Sequence, residues 1–225
     1  MNKFLLWFTT AAVRIFTSIA CRIDAPDLHK IPMRGPLIVI ANHTGQLEVA
    51  LGYAHLQPRP MTGWSKIEIW EHNWFLTWVF NIWKVIPLRR GEADVGALKK
   101  ALRALEDGYI FGIAPEGTRN YTGILRRGLP GAVILALHSG VPILPVAHWG
   151  GEVFLHNLVR LKRTDFHIRV GEPFKLNVSG IKVTSEIRQQ IVDEMMCQLA
   201  ALMPEKYRGE YSNLVDSTST FIQKY

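Results

Sequence analysis

The stretch LIVIANHTGQLE, at residues 37–48, has the pattern of a buried strand followed by a polar turn and the start of a helix. Its first five residues are all apolar, which is typical of a short strand that is covered on both faces. The segment from Gly45 to Leu56 then predicts a helix, which stops before Pro58 and Pro60. A strand that leads through a tight turn into a helix predicts an α/β fold.

The same alternation continues along the rest of the 225 residues. Strand patterns occur at residues 61–65, 85–88, 109–114, 143–147 and 166–170, and helical patterns occur at residues 70–83, 92–107, 130–139 and 185–203. Strands that alternate with helices predict a mixed, largely parallel sheet flanked by helices. In such folds, binding and catalytic sites lie at the carboxyl ends of the strands.

Composition narrows the class of protein and its partners. Hydrophobic residues make up 48% of the chain, which is enough for a full core and excludes a disordered protein. The net charge of +7 is typical of proteins that bind nucleic acid, an anionic membrane or a phosphorylated substrate. The basic residues do not form one run, and the aromatic residues group with apolar residues rather than with Lys and Arg. This pattern argues against a nucleic-acid partner and favours an anionic bilayer surface.

The N-terminal segment from Phe4 to Ala20 is mostly apolar but contains Arg14. A membrane-spanning helix needs roughly 20 apolar residues and avoids a central charge, so this segment does not match one. Its polar residues recur near the period of a helix and form a narrow stripe: Lys3, Thr10, Arg14, Thr17 and Ser18. We therefore predict an amphipathic helix that lies in the membrane interface or docks on its own protein.

His43 and Glu48 are the residues of the first stretch that can carry chemistry. A carboxylate bonded to one imidazole nitrogen fixes the tautomer and leaves the other nitrogen free to accept a proton. Because no Ser or Cys nucleophile lies nearby, such a base would activate a hydroxyl group of the substrate. The alternative is a purely structural His–Glu pair. Neither His55 nor His72 lies at metal-ligand spacing from His43, so we expect no metal site.

Two further polar clusters follow predicted strands. The cluster IPLRRG, residues 86–91, contains Arg90, and an arginine side chain matches the oxygens of a phosphate group. The cluster APEGTRN, residues 114–120, combines Gly117, which allows close approach of the backbone, with Thr118 and Arg119, which suit an anion. The alternatives are a solvated helix start and an acidic turn. Because all three clusters follow strands, they predict one shared pocket.

The order of these clusters within residues 35–175 resembles the glycerolipid acyltransferase family, the PlsC-type lysophosphatidic acid acyltransferases. The matching blocks are Asn42 and His43 with Glu48, Ser65 with Lys66, Ile86 to Leu88 with Arg90, Pro115 to Arg119, Arg126 to Gly128, Val141 to Val146, and Gly171 with Pro173. The block PEGTR is specific, and several blocks in the same order strengthen the resemblance.

The resemblance implies a glycerol-3-phosphate acyltransferase-like fold and direct transfer of a fatty acyl group without an acyl-enzyme. His43 would be the general base for the hydroxyl of a lysophospholipid acceptor, and Glu48 would orient its ring. The reaction that the resemblance implies most directly is the conversion of lysophosphatidate to phosphatidate in phospholipid biosynthesis. Acyl-CoA or acyl carrier protein would be the donor, without a further cofactor. The following residues would bind the substrate: Lys66, Arg90, Glu116, Gly117, Thr118 and Arg119.

These features divide the chain in two. Residues 1–24 would form the amphipathic, membrane-associating helix, and residues 25–225 would form the acyltransferase domain. The aromatic residues between Trp70 and Trp83 would add a lipid-facing surface or an acyl tunnel, with ordinary core packing as the alternative. We therefore predict a membrane-associated protein at the cytoplasmic face, in a bacterial inner membrane.

Four residues depart from the family pattern within these blocks. Glu48 stands where the family usually has Asp, and Ala114 stands where Phe is usual. Gly45 stands where a small hydroxyl residue is common, and Asn120 replaces Ser. The extra methylene group of Glu48 lengthens the reach of the carboxylate, so the helix start or His43 must shift. Two alternatives therefore stay open. One is an acyltransferase for another acceptor, such as a different lysophospholipid, a lipoamino acid or a glycolipid, and the other is a non-catalytic lipid-binding homologue.

Overall fold

A computed structural model describes residues 3–45, 47–55, 59–92, 94–215 and 217–225 of the chain. Over these residues, nine strands form: β1 Cys21–Asp24, β2 Leu37–Ala41, β3 Met61–Lys66, β4 Ile86–Leu88, β5 Ile110–Ile113, β6 Ile143–Trp149, β7 Thr164–Val170, β8 Phe174–Leu176 and β9 Ile222–Lys224. The same residues form eight α-helices: α1 Lys3–Ala20, α2 Leu47–His55, α3 Glu68–His72, α4 Trp74–Ile82, α5 Val95–Glu106, α6 Gly131–Ser139, α7 Phe154–Leu158 and α8 Ser185–Ala201.

One sheet joins all nine of the described strands. Seven of them lie in the order β1-β7-β6-β2-β5-β3-β4, and β8 and β9 pair beside β6. The strands β6, β2, β5, β3 and β4 run parallel to one another, whereas β7 is antiparallel to β6. The predicted α/β class with a mixed, largely parallel sheet is therefore confirmed.

The central position of β2 explains its composition. Its residue Ile38 pairs with Phe111 of β5 on one side and with Ile143 of β6 on the other. The first four residues of β2 are buried. Ile38 and Ile40 share a core cluster with α5, α6 and α8, whereas Leu37 and Val39 on the other face pack with Ile31, from the segment before β2, and with residues of neighbouring strands. The strand has the bounds that its apolar run predicted, and its carboxyl end places the residues that follow it at the middle of one sheet edge.

Local sequence signals fix several helix ends. The Asp94 side chain accepts a hydrogen bond from the backbone N–H of Ala97 (2.8 Å) and so caps the start of α5. The last helical residue of α6 is Ser139, and Gly140 follows it with a φ of +62°, in the left-handed region where glycine is favoured. The predicted ends of both helices agree with the structure to within three residues.

The aromatic segment at residues 70–83 differs from its prediction. It forms two helices, α3 and α4, with Asn73 between them in an extended conformation. The Asn73 side chain accepts a hydrogen bond from the N–H of Leu76 (2.9 Å), so this asparagine ends one helix and caps the next. The short elements β1, α7, β8 and β9 were not predicted, because three to five residues carry little periodicity.

Helix α1 is amphipathic, and the two threonines of its polar stripe face the protein, whereas Arg14 and Ser18 are exposed. Thr10 and Thr17 are buried, and Thr17 donates a hydrogen bond to the backbone oxygen of Val13 (2.8 Å). The indole N–H of Trp83 donates to the hydroxyl of Thr9 (3.2 Å), which joins α1 to the end of α4. Large apolar side chains of α1 point outward instead: Phe4, Trp7, Phe8, Ile15, Phe16 and Ile19. Among the residues that the structure describes, every helix falls short of the length and apolar character that a membrane crossing requires.

Candidate active site

The site begins where β2 ends, with the pair formed by His43 and Glu48. The Nδ1 atom of His43 lies 2.6 Å from the Oε1 atom of Glu48, which is the second residue of α2. The same oxygen accepts a hydrogen bond from the backbone N–H of Gly45 (2.9 Å). The turn between strand and helix thus folds the carboxylate back over the imidazole, and the longer side chain of glutamate makes this contact.

Electrostatics keep Glu48 ionised. Burial raises the pKa of its carboxyl, but the hydrogen bond from His43 lowers it, as do the positive charges that His148 and His43 can carry and the N–H of Gly45. The combined effect is a pKa of about 2. An ionised carboxylate accepts hydrogen bonds only, so Nδ1 of His43 carries a proton and Nε2 is the nitrogen that can accept one. The His43 side chain retains 16% exposure.

Glu116 connects the first sequence cluster to the third. Its Oε1 atom accepts a hydrogen bond from the backbone N–H of His43 (2.9 Å), and its Oε2 atom accepts one from the N–H of Arg126 (3.1 Å). The side chain is buried, and this burial raises the pKa of the carboxyl although both N–H groups favour its charged form. Both oxygens are therefore engaged by backbone, so Glu116 supports the site rather than facing open solvent.

The rest of the PEGTR block forms the turn after β5. Gly117 has a φ of +70°, in the left-handed region where glycine is favoured, and a Cβ atom at this position would lie 2.6 Å from Cδ1 of Leu129. The N–H of Gly117 donates to the backbone oxygen of Ala114 (3.0 Å). Thr118 is exposed and Arg119 is partly exposed. The structure thus places these two side chains at the open side of the turn.

Lys66 and Arg90 lie at the same sheet edge but farther along it. Lys66 is the last residue of β3, and Arg90 follows the end of β4; both are exposed. In the strand order, β3 is two positions from β2 and β4 is three. At about 4.8 Å between neighbouring strands, β4 lies roughly 14 Å from β2 across the sheet. A substrate of lipid size can span this separation.

Asn42, Asn120 and His148 also hold the site, although their roles were not predicted. The N–H of Asn120 donates to the backbone oxygen of His43 (2.6 Å). His148, at the end of β6, makes hydrogen bonds with Asn42 across 106 positions of the chain. The NH dipeptide at residues 42–43 signalled the importance of Asn42, but nothing in the sequence indicated its partner.

The described parts of the chain hold no group of three or more His, Cys, Asp or Glu side chains that could bind a metal ion. What the arrangement offers is an imidazole with one fixed N–H and one nitrogen that can accept a proton. Cationic and hydroxyl side chains follow along the same edge. Such a site can deprotonate an alcohol and hold an anionic group beside it.

Comparison with known proteins agrees with this fold and site. The family model Acyltransferase matches residues 22–149, which include β2, β5 and the turns that follow them. The chain is 24% identical over 171 residues to the 1-acyl-sn-glycerol-3-phosphate acyltransferase of Bacillus subtilis strain 168, covering 74% of this chain and 80% of that protein. It is 23% identical over 207 residues to the enzyme of the same name from Pseudomonas aeruginosa, covering 89% and 76%.

A solved structure shares the fold. The 1-acyl-sn-glycerophosphate acyltransferase PlsC from Thermotoga maritima superimposes with a TM-score of 0.66 over 89% of this chain and 79% of that chain, at 22% identity. The common fold and the match to the family model over more than half of the 225 residues lead to one conclusion. The chain belongs to the acyltransferase family.

Proposed function

We propose that the protein is a 1-acylglycerol-3-phosphate O-acyltransferase, which moves a fatty acyl group from a thioester to the free hydroxyl of lysophosphatidate. The observation that carries this proposal is the 2.6 Å contact between Nδ1 of His43 and Oε1 of Glu48 at the carboxyl end of β2. The names of the relatives from Bacillus subtilis and Pseudomonas aeruginosa support the choice of acceptor.

In the proposed mechanism, Nε2 of His43 removes the proton from the acceptor hydroxyl as its oxygen attacks the thioester carbonyl carbon. Negative charge then develops on the carbonyl oxygen. As the C=O double bond re-forms, the C–S bond breaks. The thiolate leaves and takes the proton from His43, so the products are an ester and a free thiol. Glu48 stabilises the imidazolium form of His43, and a positioned base typically contributes about 10²–10⁴-fold in rate.

The acceptor phosphate would bind at the solvent-exposed side of the sheet edge where the parallel strands end. Arg119 and Thr118 lie on the turn after β5, next to the turn that carries His43, while Lys66 and Arg90 lie farther along. A guanidinium group matches two phosphate oxygens, so we assign the main contact to an arginine. In this proposal Glu116 and Gly117 shape the turn and do not bind the phosphate themselves, since Glu116 is buried and the Gly117 N–H donates to Ala114.

The donor in this proposal is acyl-CoA or acyl carrier protein, which serves as a co-substrate, and no other cofactor takes part. The basic side chains at this edge, Lys66, Arg90 and Arg119, would attract the phosphate groups of acyl-CoA or of acyl carrier protein. Since a thioester carbonyl is already reactive toward an alkoxide, a base and an oriented acceptor suffice for the step.

The acceptor is a membrane lipid, and one face of the protein suits a bilayer surface. We define the apolar surface as the exposed side chains Phe4, Trp7, Phe8, Ile15, Phe16 and Ile19 of α1 and Trp74, Phe75 and Trp78 of α4. The two helices are joined by the hydrogen bond between Trp83 and Thr9, which supports one continuous surface. Exposed aromatic rings of this kind favour the interface of lipid and water.

We therefore propose that the helix within residues 1–24 docks the protein on an anionic bilayer and that residues 25–225 carry the chemistry. The net charge of +7 adds attraction to anionic headgroups. The location proposed is the cytoplasmic face of a bacterial inner membrane, where acyl carrier protein and acyl-CoA are available.

A product assay tests the proposal. The purified protein is incubated with labelled acyl-CoA or acyl carrier protein thioester and with a panel of acceptors: lysophosphatidate, other lysophospholipids, a lipoamino acid and a glycolipid. We expect phosphatidate as the main product, and loss of product in His43→Ala with an unchanged melting temperature. Product from a different acceptor alone would replace the proposed substrate. No product from any acceptor would indicate a lipid-binding homologue, and full activity of His43→Ala would exclude the proposed base.

A further inference from the structure

A second buried histidine lies behind the proposed base. His148, in β6, is 3% exposed, and its ring stacks on that of Phe166 with 5.4 Å between the centroids. Strand β6 pairs with β2 so that Val146 faces Ala41, which brings His148 beside the residues that follow β2. The motif blocks of the family do not include His148, and the proposed mechanism does not use it.

Three hydrogen bonds join His148 to Asn42, which is itself buried. The Asn42 amide donates to the backbone oxygen of His148 (2.8 Å), and its side-chain oxygen accepts from the backbone N–H of His148 (2.9 Å). The third bond is between Nε2 of His148 and the backbone oxygen of Asn42 (2.6 Å). Because a carbonyl oxygen can only accept, Nε2 of His148 carries a proton, and the tautomer of a neutral ring is thereby fixed.

The third bond acts on the peptide group that joins Asn42 to His43. The carbonyl oxygen of this peptide accepts from Nε2 of His148 at 2.6 Å. The N–H of the same peptide donates to Oε1 of Glu116 at 2.9 Å. One peptide plane is therefore held at both ends by buried side chains, and its orientation sets the direction in which the Cβ atom of His43 points.

The buried environment of His148 suits a neutral ring that donates a hydrogen bond rather than a charged one. Burial lowers the pKa of His148, and the nearby negative charge of Glu48, which raises it, does not reverse that direction. The ring is therefore neutral at neutral pH, with a single N–H, and that N–H is the one directed at Asn42.

We propose that His148 is a positioning residue of the active site: its Nε2–H holds the Asn42–His43 peptide so that the ring of His43 meets Glu48. This inference rests on the proposed function for its kinetic test, but its structural test is independent of activity. A peptide free to rotate would let the imidazole leave the carboxylate, and small displacements of a catalytic group cost large factors in rate.

Three substitutions of His148 distinguish the effect of its hydrogen bond from the effect of its packing. His148→Gln places an amide N–H at about the reach of Nε2, His148→Asn places one at the reach of Nδ1, and His148→Phe keeps a ring against Phe166 without a donor. We expect kcat to fall about tenfold or more in the Phe and Asn variants, with the KM of each substrate changed less than threefold. His148→Gln should recover most of that loss. His138→Phe, at an exposed position of α6, is the matched control.

Nitrogen-15 NMR of the histidine rings gives the second readout. In the wild-type protein and His148→Gln, we expect His43 to show a single tautomer with the proton on Nδ1. In His148→Phe, we expect a mixture of tautomers for His43. Wild-type kcat in His148→Phe, or equal losses in all three variants, would overturn the proposal. An unchanged His43 tautomer in His148→Phe would also overturn it. If the wild-type protein transfers no acyl group at all, the proposed function fails, and the NMR result alone still decides the role of His148.

Discussion

The carboxylate of Glu116 accepts a hydrogen bond from the backbone N–H of His43 at 2.9 Å, although the two residues are 73 positions apart. The same carboxylate accepts a second bond from the N–H of Arg126 at 3.1 Å. A residue of the PEGTR block thus supports the backbone of the NH block. The two blocks are parts of one hydrogen-bonded unit, and a change in one is expected to affect the other.

The first prediction concerns Glu116→Gln. A glutamine side chain offers one acceptor oxygen, so its NH₂ group would have to face one of the two backbone N–H groups. We expect the free energy of unfolding to fall by about 1–3 kcal/mol and acyl transfer to fall with it. Urea unfolding and the product assay measure the two effects. Glu71→Gln, at an exposed position of α3, is the control, and wild-type stability in Glu116→Gln would contradict the prediction.

The second prediction concerns the pH dependence of stability due to Glu48. Its carboxyl has a pKa lowered from the ordinary value of 4.5 to about 2 in the folded protein. A lowered folded-state pKa means that the ionised group stabilises the fold above the unfolded-state pKa, and that this stabilisation is lost as the pH falls through the folded-state pKa. We expect Glu48→Gln to be less stable than wild type by on the order of 2 kcal/mol at neutral pH.

Urea unfolding at a series of pH values tests this second prediction. The difference in unfolding free energy between wild type and Glu48→Gln should shrink as the pH falls from about pH 5 toward about pH 2. Glu106→Gln, at the exposed end of α5, is the control. A difference that does not change between about pH 7 and about pH 3 would be inconsistent with the lowered pKa.

The third prediction concerns the acceptor phosphate. Arg119→Ala and Arg90→Ala each remove a guanidinium group from the open side of the site. If the arginine binds the phosphate, we expect the KM for lysophosphatidate to rise about 10–100-fold, because a hydrogen bond to a charged group contributes about 1.5–3 kcal/mol. The KM for an unphosphorylated acceptor should not change. Lys182→Ala, at an exposed position before α8, is the control, and equal effects on both acceptors would argue against phosphate binding.

The fourth prediction concerns the apolar surface. Trp7 is 66% exposed and Trp74 is 82% exposed, so both rings can enter a lipid interface without unfolding the protein. We expect Trp7→Ser and Trp74→Ser each to weaken binding to phosphatidylglycerol vesicles about tenfold, with little effect on melting temperature. Vesicle sedimentation measures the partition. Binding should also weaken at high salt, because the basic residues contribute through long-range attraction.

A matched substitution controls for the loss of any exposed apolar side chain. Val215 is 93% exposed and lies in the C-terminal segment, where its neighbours Asn213 and Ser217 line a cleft with α8. Val215→Ser should bind vesicles as the wild-type protein does. If Trp7→Ser and Trp74→Ser also bind as wild type, the apolar surface does not dock on lipid.

Much of the central fold followed from the sequence, because the elements near His43 have strong local patterns. The apolar run of β2 predicted its bounds without error, and Gly140 predicted the end of α6. The pairing of His43 with Glu48 was also predictable, since both residues come from one turn between a strand and a helix. Local patterns suffice where the interacting groups are close in the chain.

Other features depend on contacts that no local pattern contains. The periodicity of α1 predicted a polar stripe, but only the packing of the folded chain shows that Thr10 and Thr17 of this stripe are buried while Arg14 and Ser18 are exposed. The break at Asn73 was not predicted, because aromatic residues occur on both sides of it and the whole segment was assigned to one helix. The role of His148 depends on a partner 106 positions away, and a single histidine in a strand has no signature of its own.

The junction between α1 and the sheet has a mechanical consequence. Ala20 is the last residue of α1 and Cys21 is the first residue of β1, and β1 is hydrogen-bonded along its whole length to β7. Because α1 leads directly into β1, a bilayer that binds the helix would also determine the tilt of the sheet relative to the bilayer. The direction from which a lipid headgroup meets His43 would then be fixed by the same contact that keeps the protein on the layer.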